Sequence, residues 1–369
     1  MRDYFHRESP VRFVWPIDGD VLNSADGVEA GDAIRIAALV ESPEAVTVNG
    51  VPAAKRGRFY RAEADIPKNG GTLIAESAAG RDVIEVLRLP RHQGYFRYSS
   101  DDNIVFLYNI NKNRDVYDSI FCDPYLSVYK KAHDLYGACF HLNVYYSMPA
   151  KDVYFSEERG YFDLSMMTDR FRAEWEANSD WLRLNFHARA DHPPRPYGLS
   201  SYETVYTDCE RVRKEIVRFA GEKTLSRETT VHYGSCSEDG VRALRDLGIE
   251  CLAGYFVLEN GKPHVSYFYP KDMVTHIGGR DFWYDRELDV LYAKIDRVAN
   301  LHTPDETVSL LDAMEPDGRR SGFIELMIHE EYFYPDSKYY LSDFEDRVLL
   351  PCKWARDRGY KGSFLADLR

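Results

Sequence analysis

Apolar positions are spaced differently before and after about residue 92. From 10 to 90 they fall in short runs that alternate with polar residues, at 33–40 (Ala-Ile-Arg-Ile-Ala-Ala-Leu-Val), 45–48, 72–75 and 83–89. A period of two is the mark of a half-buried strand. Asn49-Gly50 follows the second run directly, and this pair suits a two-residue hairpin because both residues tolerate positive φ. Lys68-Asn69-Gly70-Gly71 marks a further turn. Strands at this spacing, with no helical period between them, predict a β-sandwich of about seven strands over residues 1–92. The segment gathers no cluster of His, Cys and acidic residues, so support or binding is expected of it.

After Arg91-His92-Gln93-Gly94 the pattern becomes strand, helix, strand, helix. Strand-like runs stand at 138–146, 181–187, 229–233, 250–256, 290–295 and 323–329. An earlier strand is either 104–110 or, preferably, 94–100, because the second choice puts the polar Asp101-Asp102 pair at a strand end like the other polar candidates. Ser200-x-x-Glu203, Ser235-x-x-Glu238, Thr303-Pro304-x-Glu306 and Ser342-x-x-Glu345 read as helix capping boxes, with Pro304 at a first helical position. Gly137, Gly221 and Gly248 sit where helices should stop. The fold class expected is therefore multidomain, all-β plus α/β. A sandwich over 1–92 is followed by an irregular (β/α)7-type barrel over 93–369, with a doubly wound open sheet as the alternative. The Gly-rich loops of nucleotide-binding sheets are absent.

Composition narrows the function classes. The 369 residues carry 47 basic and 60 acidic side chains, a net charge of -13, so a nucleic-acid partner is not expected. No run approaches the roughly 18 apolar residues of a membrane span, so no membrane association is expected either. The opening Met-Arg-Asp-Tyr-Phe-His-Arg-Glu lacks the apolar run of a secretory signal. A cytoplasmic location is expected, or a secreted one if a leader is removed. The six cysteines are scattered without a C-x-x-C, which points to buried free thiols rather than a zinc ribbon or disulfide scaffold. Aromatic content is high, 14% with 27 Tyr, a weak pointer to sugar.

Four expected strand ends carry titratable groups: Asp101-Asp102, His187 to His192, His232-Tyr233, and His329-Glu330-Glu331. In an α/β barrel, catalytic groups collect at that end of the strands. His329-Glu330-Glu331-Tyr332-Phe333 begins like the helical zinc-protease motif H-E-x-x-H, but Phe333 replaces the second His and the preceding run reads as a strand. Asp281-Phe282-Trp283-Tyr284-Asp285 is an aromatic–acidic cluster that could line a sugar cleft or simply pack.

Asp101-Asp102-Asn103, then Tyr136-Gly137-Ala138-Cys139-Phe140-His141-Leu142, Phe186-His187 through Asp191-His192, Val231-His232-Tyr233-Gly234 and Met327-Ile328-His329 occur in the order of the polysaccharide deacetylase motifs. Over about 94–369 the chain resembles that family (carbohydrate esterase family 4, the NodB homology domain). The succession from Thr47 to Ser77 resembles the immunoglobulin-like accessory modules of carbohydrate-active enzymes. The resemblance implies a metal-dependent hydrolase that deacylates a carbohydrate or related amide or ester. It implies a divalent metal, zinc first, with manganese, cobalt or nickel as alternatives, and a carbohydrate or small-molecule substrate. Carried over residue by residue, Asp102 and His187 would bind metal, Asp101 would be general base and His329 general acid. Four residues after His187 the family has His, whereas this chain has Asp191, with His192 one later; either could be the third ligand. Val231 and His232 replace the family's residues before the third-motif Tyr, and His232, Tyr233 and Trp283 are expected to bind substrate. A non-catalytic carbohydrate-binding protein and a hydrolase of a non-sugar C–N bond are the alternative functions.

Overall fold

The computed structural model describes residues 2–368. Strands β1 (Arg12–Trp15), β2 (Val28–Ala30), β3 (Ala33–Glu41), β4 (Thr47–Val48), β5 (Val51–Pro52), β6 (Ala54–Arg56), β7 (Phe59–Pro67), β8 (Gly71–Ser77) and β9 (Gly80–Val86) follow one another with no α-helix between them. Alternation places them. In β7, Tyr60, Ala62, Ala64 and Ile66 are buried while Arg61, Glu63 and Asp65 face solvent. One antiparallel sheet runs β1-β3-β7-β6 with β2 on β3, and a second runs β5-β4-β8-β9. Their inner faces share one apolar core that includes Ile34, Ile36, Val40, Ile66, Leu73 and Ile84. Asn49 and Gly50 make the turn between β4 and β5 with φ of 49° and 79°.

The remaining strands are β10 (Tyr95–Asn103), β11 (Phe140–Tyr145), β12 (Ser147–Met148), β13 (Phe162–Asp163), β14 (Leu182–Ala188), β15 (Glu228–Thr229), β16 (Cys251–Gly254), β17 (Val257–Glu259), β18 (Lys262–His264), β19 (Phe282–Asp285), β20 (Val290–Lys294), β21 (Arg297–Val298), β22 (Phe323–His329) and β23 (Lys361–Gly362). Each expected strand site is occupied, the first as β10. The run 104–110, the rejected choice for that strand, lies in a helix.

These strands do not close into a barrel. Nine of them form two arcs, β14-β11-β10-β22-β21 and β15-β16-β20-β19, while β23 pairs with β10 and β12-β13 and β17-β18 are separate two-stranded sheets. The arcs approach at two seams. At one, Ser226 N–H donates to Leu184 O at 2.9 Å; at the other, Asp296 N–H donates to Glu325 O at 2.8 Å. β15 is two residues long, and Ile295-Asp296 separates β20 from β21. Neither seam therefore carries a continuous ladder. Between the arcs lies a charged triad. Arg97 donates to Glu325 at 2.8 and 2.5 Å and to Glu228 at 2.5 Å, all three fully buried.

Helices α1 (Val105–Lys112), α2 (Pro124–Tyr136), α3 (Arg172–Ala177), α4 (Tyr202–Ala220), α5 (Glu238–Asp246), α6 (Lys271–Ile277), α7 (Pro304–Met314) and α8 (Phe344–Asp357) connect the strands. The capping box at Thr303 and Glu306 forms as expected. At α4 and α5 the cap is instead Ser201 and Ser237, one and two residues later, where each hydroxyl accepts from the first helical turn. At α8 no side chain caps. Gly137 ends α2 at φ 66°. Among the described residues no helix is long and apolar enough to cross a membrane.

Candidate metal centre

The first arc places Asp101 and Asp102 at the end of β10. Asp101 is the register partner of His329 on β22. On its other side β10 slips against β11 between Ser100 and Asn103, an irregularity of the kind that re-aims side chains. Asp102 takes φ 64° there, a conformation that Asp tolerates better than most residues. Asn103 closes the irregularity, donating from Nδ2 to Ser100 O at 2.6 Å and Asn143 O at 3.0 Å.

His187 stands near the end of β14, and its Nδ1–H donates to Thr230 O at 2.6 Å. His232 opens a short helical turn after β15, and its Nε2–H donates to Asp191 O at 3.0 Å. A carbonyl only accepts, so each neutral ring spends its proton outward. The inward nitrogens, His187 Nε2 and His232 Nδ1, are then bare lone pairs 3.1 Å apart. Asp102 Oδ1 lies 2.9 Å from the first and 3.3 Å from the second. Ligand atoms of these three residues all lie within 4.8 Å of one another. Acceptors this close are relieved by a proton on one ring, since against the opposing effect of burial Asp101 and Asp102 raise the pKa of His187, or by a bound cation. Imidazoles that hand their second N–H to a backbone carbonyl are the arrangement metal-binding His adopts, so the residues fit a divalent ion with carboxylate and imidazole ligands.

Tyr145, the last residue of β11, donates its hydroxyl to Asp102 Oδ1. It also lies 3.0 Å from His232 Nδ1. Burial opposes ionisation of Asp102, but hydrogen bonding and charge from His187 and His232 hold it well below the usual carboxylate range. Asp101 is pushed up by burial and by Asp102, against the pull of His187 and His329. Asn143 Nδ2 donates to Asp101 Oδ1 at 2.6 Å. His329 Nδ1 meets Asn300 Oδ1 at 2.9 Å.

The structure brings Asp101, Asp102, His187, Asp191, His232, Tyr233 and His329 to one cavity of about 330 Å³. Two placements correct the sequence reading. The residues whose ligand atoms lie within 4.8 Å of one another include His232, expected as a substrate residue, and not Asp191 or His192. Asp191 turns its backbone carbonyl to His232, with its carboxylate Oδ1 3.6 Å away, and His192 is half exposed on the far side of Asp191. Trp283 is absent from this cavity. It is 3% exposed, donates Nε1–H to Asp18 O at 3.0 Å and packs edge-on against Tyr4 and Tyr269.

Sequence reasoning missed Tyr145 and Asn143, and it placed Glu331 at a strand end without giving it a role. β11 is buried on both faces, so its pattern marks no inward side. Glu331 lines the cavity, and burial beside Asp102 pushes its carboxyl well up. Beside Asp102 a second, small apolar pocket of about 40 Å³ is walled by Ile104, Val105, Met148, Pro149 and Phe155.

Neither a family model nor a curated protein matches the sequence. Solved structures that are similar include a candidate polysaccharide deacetylase from Mycobacterium smegmatis, with TM-score 0.40, 10% identity, 74% of this chain and 88% of that one covered. A CE4 esterase from Streptococcus mutans aligns with TM-score 0.34 and 11% identity over 74% of this chain and 86% of that one. A CE4 family pseudoenzyme from Bacillus anthracis aligns with TM-score 0.33 and 9% identity over 75% of this chain, which spans 66% of the length of that protein. None of these distant likenesses fixes what this chain does.

Proposed function

We propose that the protein is a metal-dependent hydrolase that removes a small acyl group from a carbohydrate or a related amide. The observation that carries this reading is the convergence of one carboxylate oxygen and two outward-protonated imidazoles, Asp102, His187 and His232, at the mouth of a cavity. Those three residues would hold the ion. Bound there, a divalent metal polarises a carbonyl and lowers the pKa of a water from about 16 to about 7.

The chain's own groups supply the proton steps. Asp101 is fixed by Asn143 and raised in pKa, which suits a carboxylate that takes a proton from the attacking water. With its Nδ1–H on Asn300, His329 keeps Nε2 to carry a proton to the leaving amine. Tyr145 holds Asp102 in place through its hydroxyl. The small apolar pocket beside Asp102 suits a short acyl chain.

Elemental analysis of protein purified without chelator tests the reading. Near one equivalent of a transition metal is expected in the wild type and in Asp101→Asn, and under about a tenth in Asp102→Ala and His232→Ala. Asp101→Asn should keep metal and lose turnover of an N-acetylated oligosaccharide. Wild-type protein that takes up no metal after zinc addition would overturn the proposal.

A further inference from the structure

The cleft carries more carboxyl groups than that chemistry uses. Its larger cavity is lined by four carboxylates, Asp101, Asp102, Asp191 and Glu331, and by neither Lys nor Arg. The ionic neighbours of Asp191 are imidazoles, His192 at 3.2 Å and His232 at 3.6 Å. Asp191 is met by the Tyr154 hydroxyl and by the His192 ring, 3.2 Å from Oδ2, whereas Glu331 Oε2 is buried without a hydrogen-bond partner. So is the Thr230 hydroxyl, on a residue 2% exposed that faces the same cavity.

A buried carboxyl oxygen without a donor is unfavourable, and a ligand that relieves it brings an N–H to Glu331 Oε2. A second metal ion fits poorly. Among the described residues only Asp102, His187 and His232 gather ligand atoms within 4.8 Å. An organic ammonium fits better, because the same cavity is walled by Tyr154, Tyr332 and Tyr339. Rings here already receive an ammonium: Lys338 Nζ lies 4.4 Å from the Tyr154 centroid and 5.0 Å from that of Tyr339.

We propose that the cleft selects substrates bearing a free ammonium group beside the acylated amine, as in a partly deacylated amino-sugar chain, with Glu331 and Asp191 receiving the ammonium. This rests on the deacylase reading above for the acyl half of the ligand, but not for the ammonium half. It makes the enzyme one that acts after a first deacylation and extends it.

Calorimetric titration of zinc-loaded and chelator-treated protein with N,N′-diacetylchitobiose, with its mono-N-acetyl counterpart and with 1,3-diaminopropane tests the assignment. The amine-bearing disaccharide should bind about tenfold or more tighter than the neutral one and weaken with added salt. Glu331→Gln should reduce that preference to under about threefold, with zinc stoichiometry and the circular dichroism spectrum unchanged. Asp191→Asn serves as the second variant if Glu331→Gln does not fold. Equal or tighter binding of the neutral disaccharide overturns the proposal, as does a preference that survives both substitutions. If neither disaccharide binds, failure of the diamine to bind overturns it, and diamine binding lost in Glu331→Gln supports it. Zinc binding without amine preference removes this inference alone; amine preference without zinc binding removes the metal reading alone.

Discussion

Glu330 is fully buried, and its two oxygens cap α1 from across the fold. Oε2 accepts from Ile104 N at 2.6 Å and Val105 N at 2.9 Å, and Oε1 accepts from Phe106 N at 2.6 Å and from the Tyr334 hydroxyl at 2.6 Å. Ile104, the residue at the cap position, offers no side-chain acceptor. A helix start leaves four N–H groups without intrahelical partners, and this one carboxylate serves three of them. Glu330→Ala strands those donors in a region from which water is largely excluded. At about 1–3 kcal/mol for each buried donor left unpaired, partly relieved by a water entering the vacated volume, the loss should reach about 3–5 kcal/mol. Glu330→Gln keeps one carbonyl oxygen and turns an NH₂ toward the remaining donors, so about half that loss is expected. Urea unfolding followed by tryptophan fluorescence and far-ultraviolet circular dichroism measures both, with the exposed Glu345→Gln as control. Because α1 begins directly after Asp101-Asp102-Asn103, zinc affinity should fall together with stability. A Glu330→Ala protein within about 1 kcal/mol of wild type would refute the trans-cap argument.

Three further outcomes are expected. Arg97→Met leaves Glu228 and Glu325 buried without their counter-charge and should cost about 3–5 kcal/mol in the same unfolding assay; a loss under about 1 kcal/mol would contradict it. Tyr145→Phe removes the hydroxyl that orients Asp102 and should weaken zinc binding about 10–100-fold by competition titration, with little change in fold stability. His6 Nδ1 meets Asp82 on β9 at 2.7 Å, and that hydrogen bond, working against burial, raises the pKa of His6 above 6.5. The anchoring of the N-terminal segment should therefore be complete below about pH 6.5 and be lost as pH rises through the folded value. Hydrogen exchange in residues 3–9 should speed up over that window in the wild type and show no such step in His6→Gln.

Much of the candidate site is legible because strand ends are legible. Asp101-Asp102, His187, His232 and His329 each stand at or just past the end of a strand, and parallel strands bring such ends together whether or not the sheet closes. The third position was misread because the spacing rule carries a side chain four residues past His187. The backbone there turns so that the carbonyl of Asp191, and not its carboxylate, meets His232. The run 104–110 reads only as an alternative strand, in keeping with its β-branched residues; the carboxylate that caps it as a helix stands more than 220 positions away, beyond any local pattern. Barrel closure was overestimated because strand count says nothing of strand length, and β15 has only two residues. Trp283, flanked by acids, resembles a cleft residue until its indole is seen spent on Asp18.

The left-handed backbone at Asp102 limits what can replace it. Asn shares with Asp an unusual tolerance of positive φ and keeps an oxygen where Tyr145 donates. The charge that gathers two imidazole lone pairs around a cation would vanish, while the β10 irregularity, the cavity and its aromatic walls would remain. A working metal site and an inert copy of the same architecture thus lie one nucleotide change apart. Within a lineage, ligand recognition could outlive catalysis without any refolding of the chain.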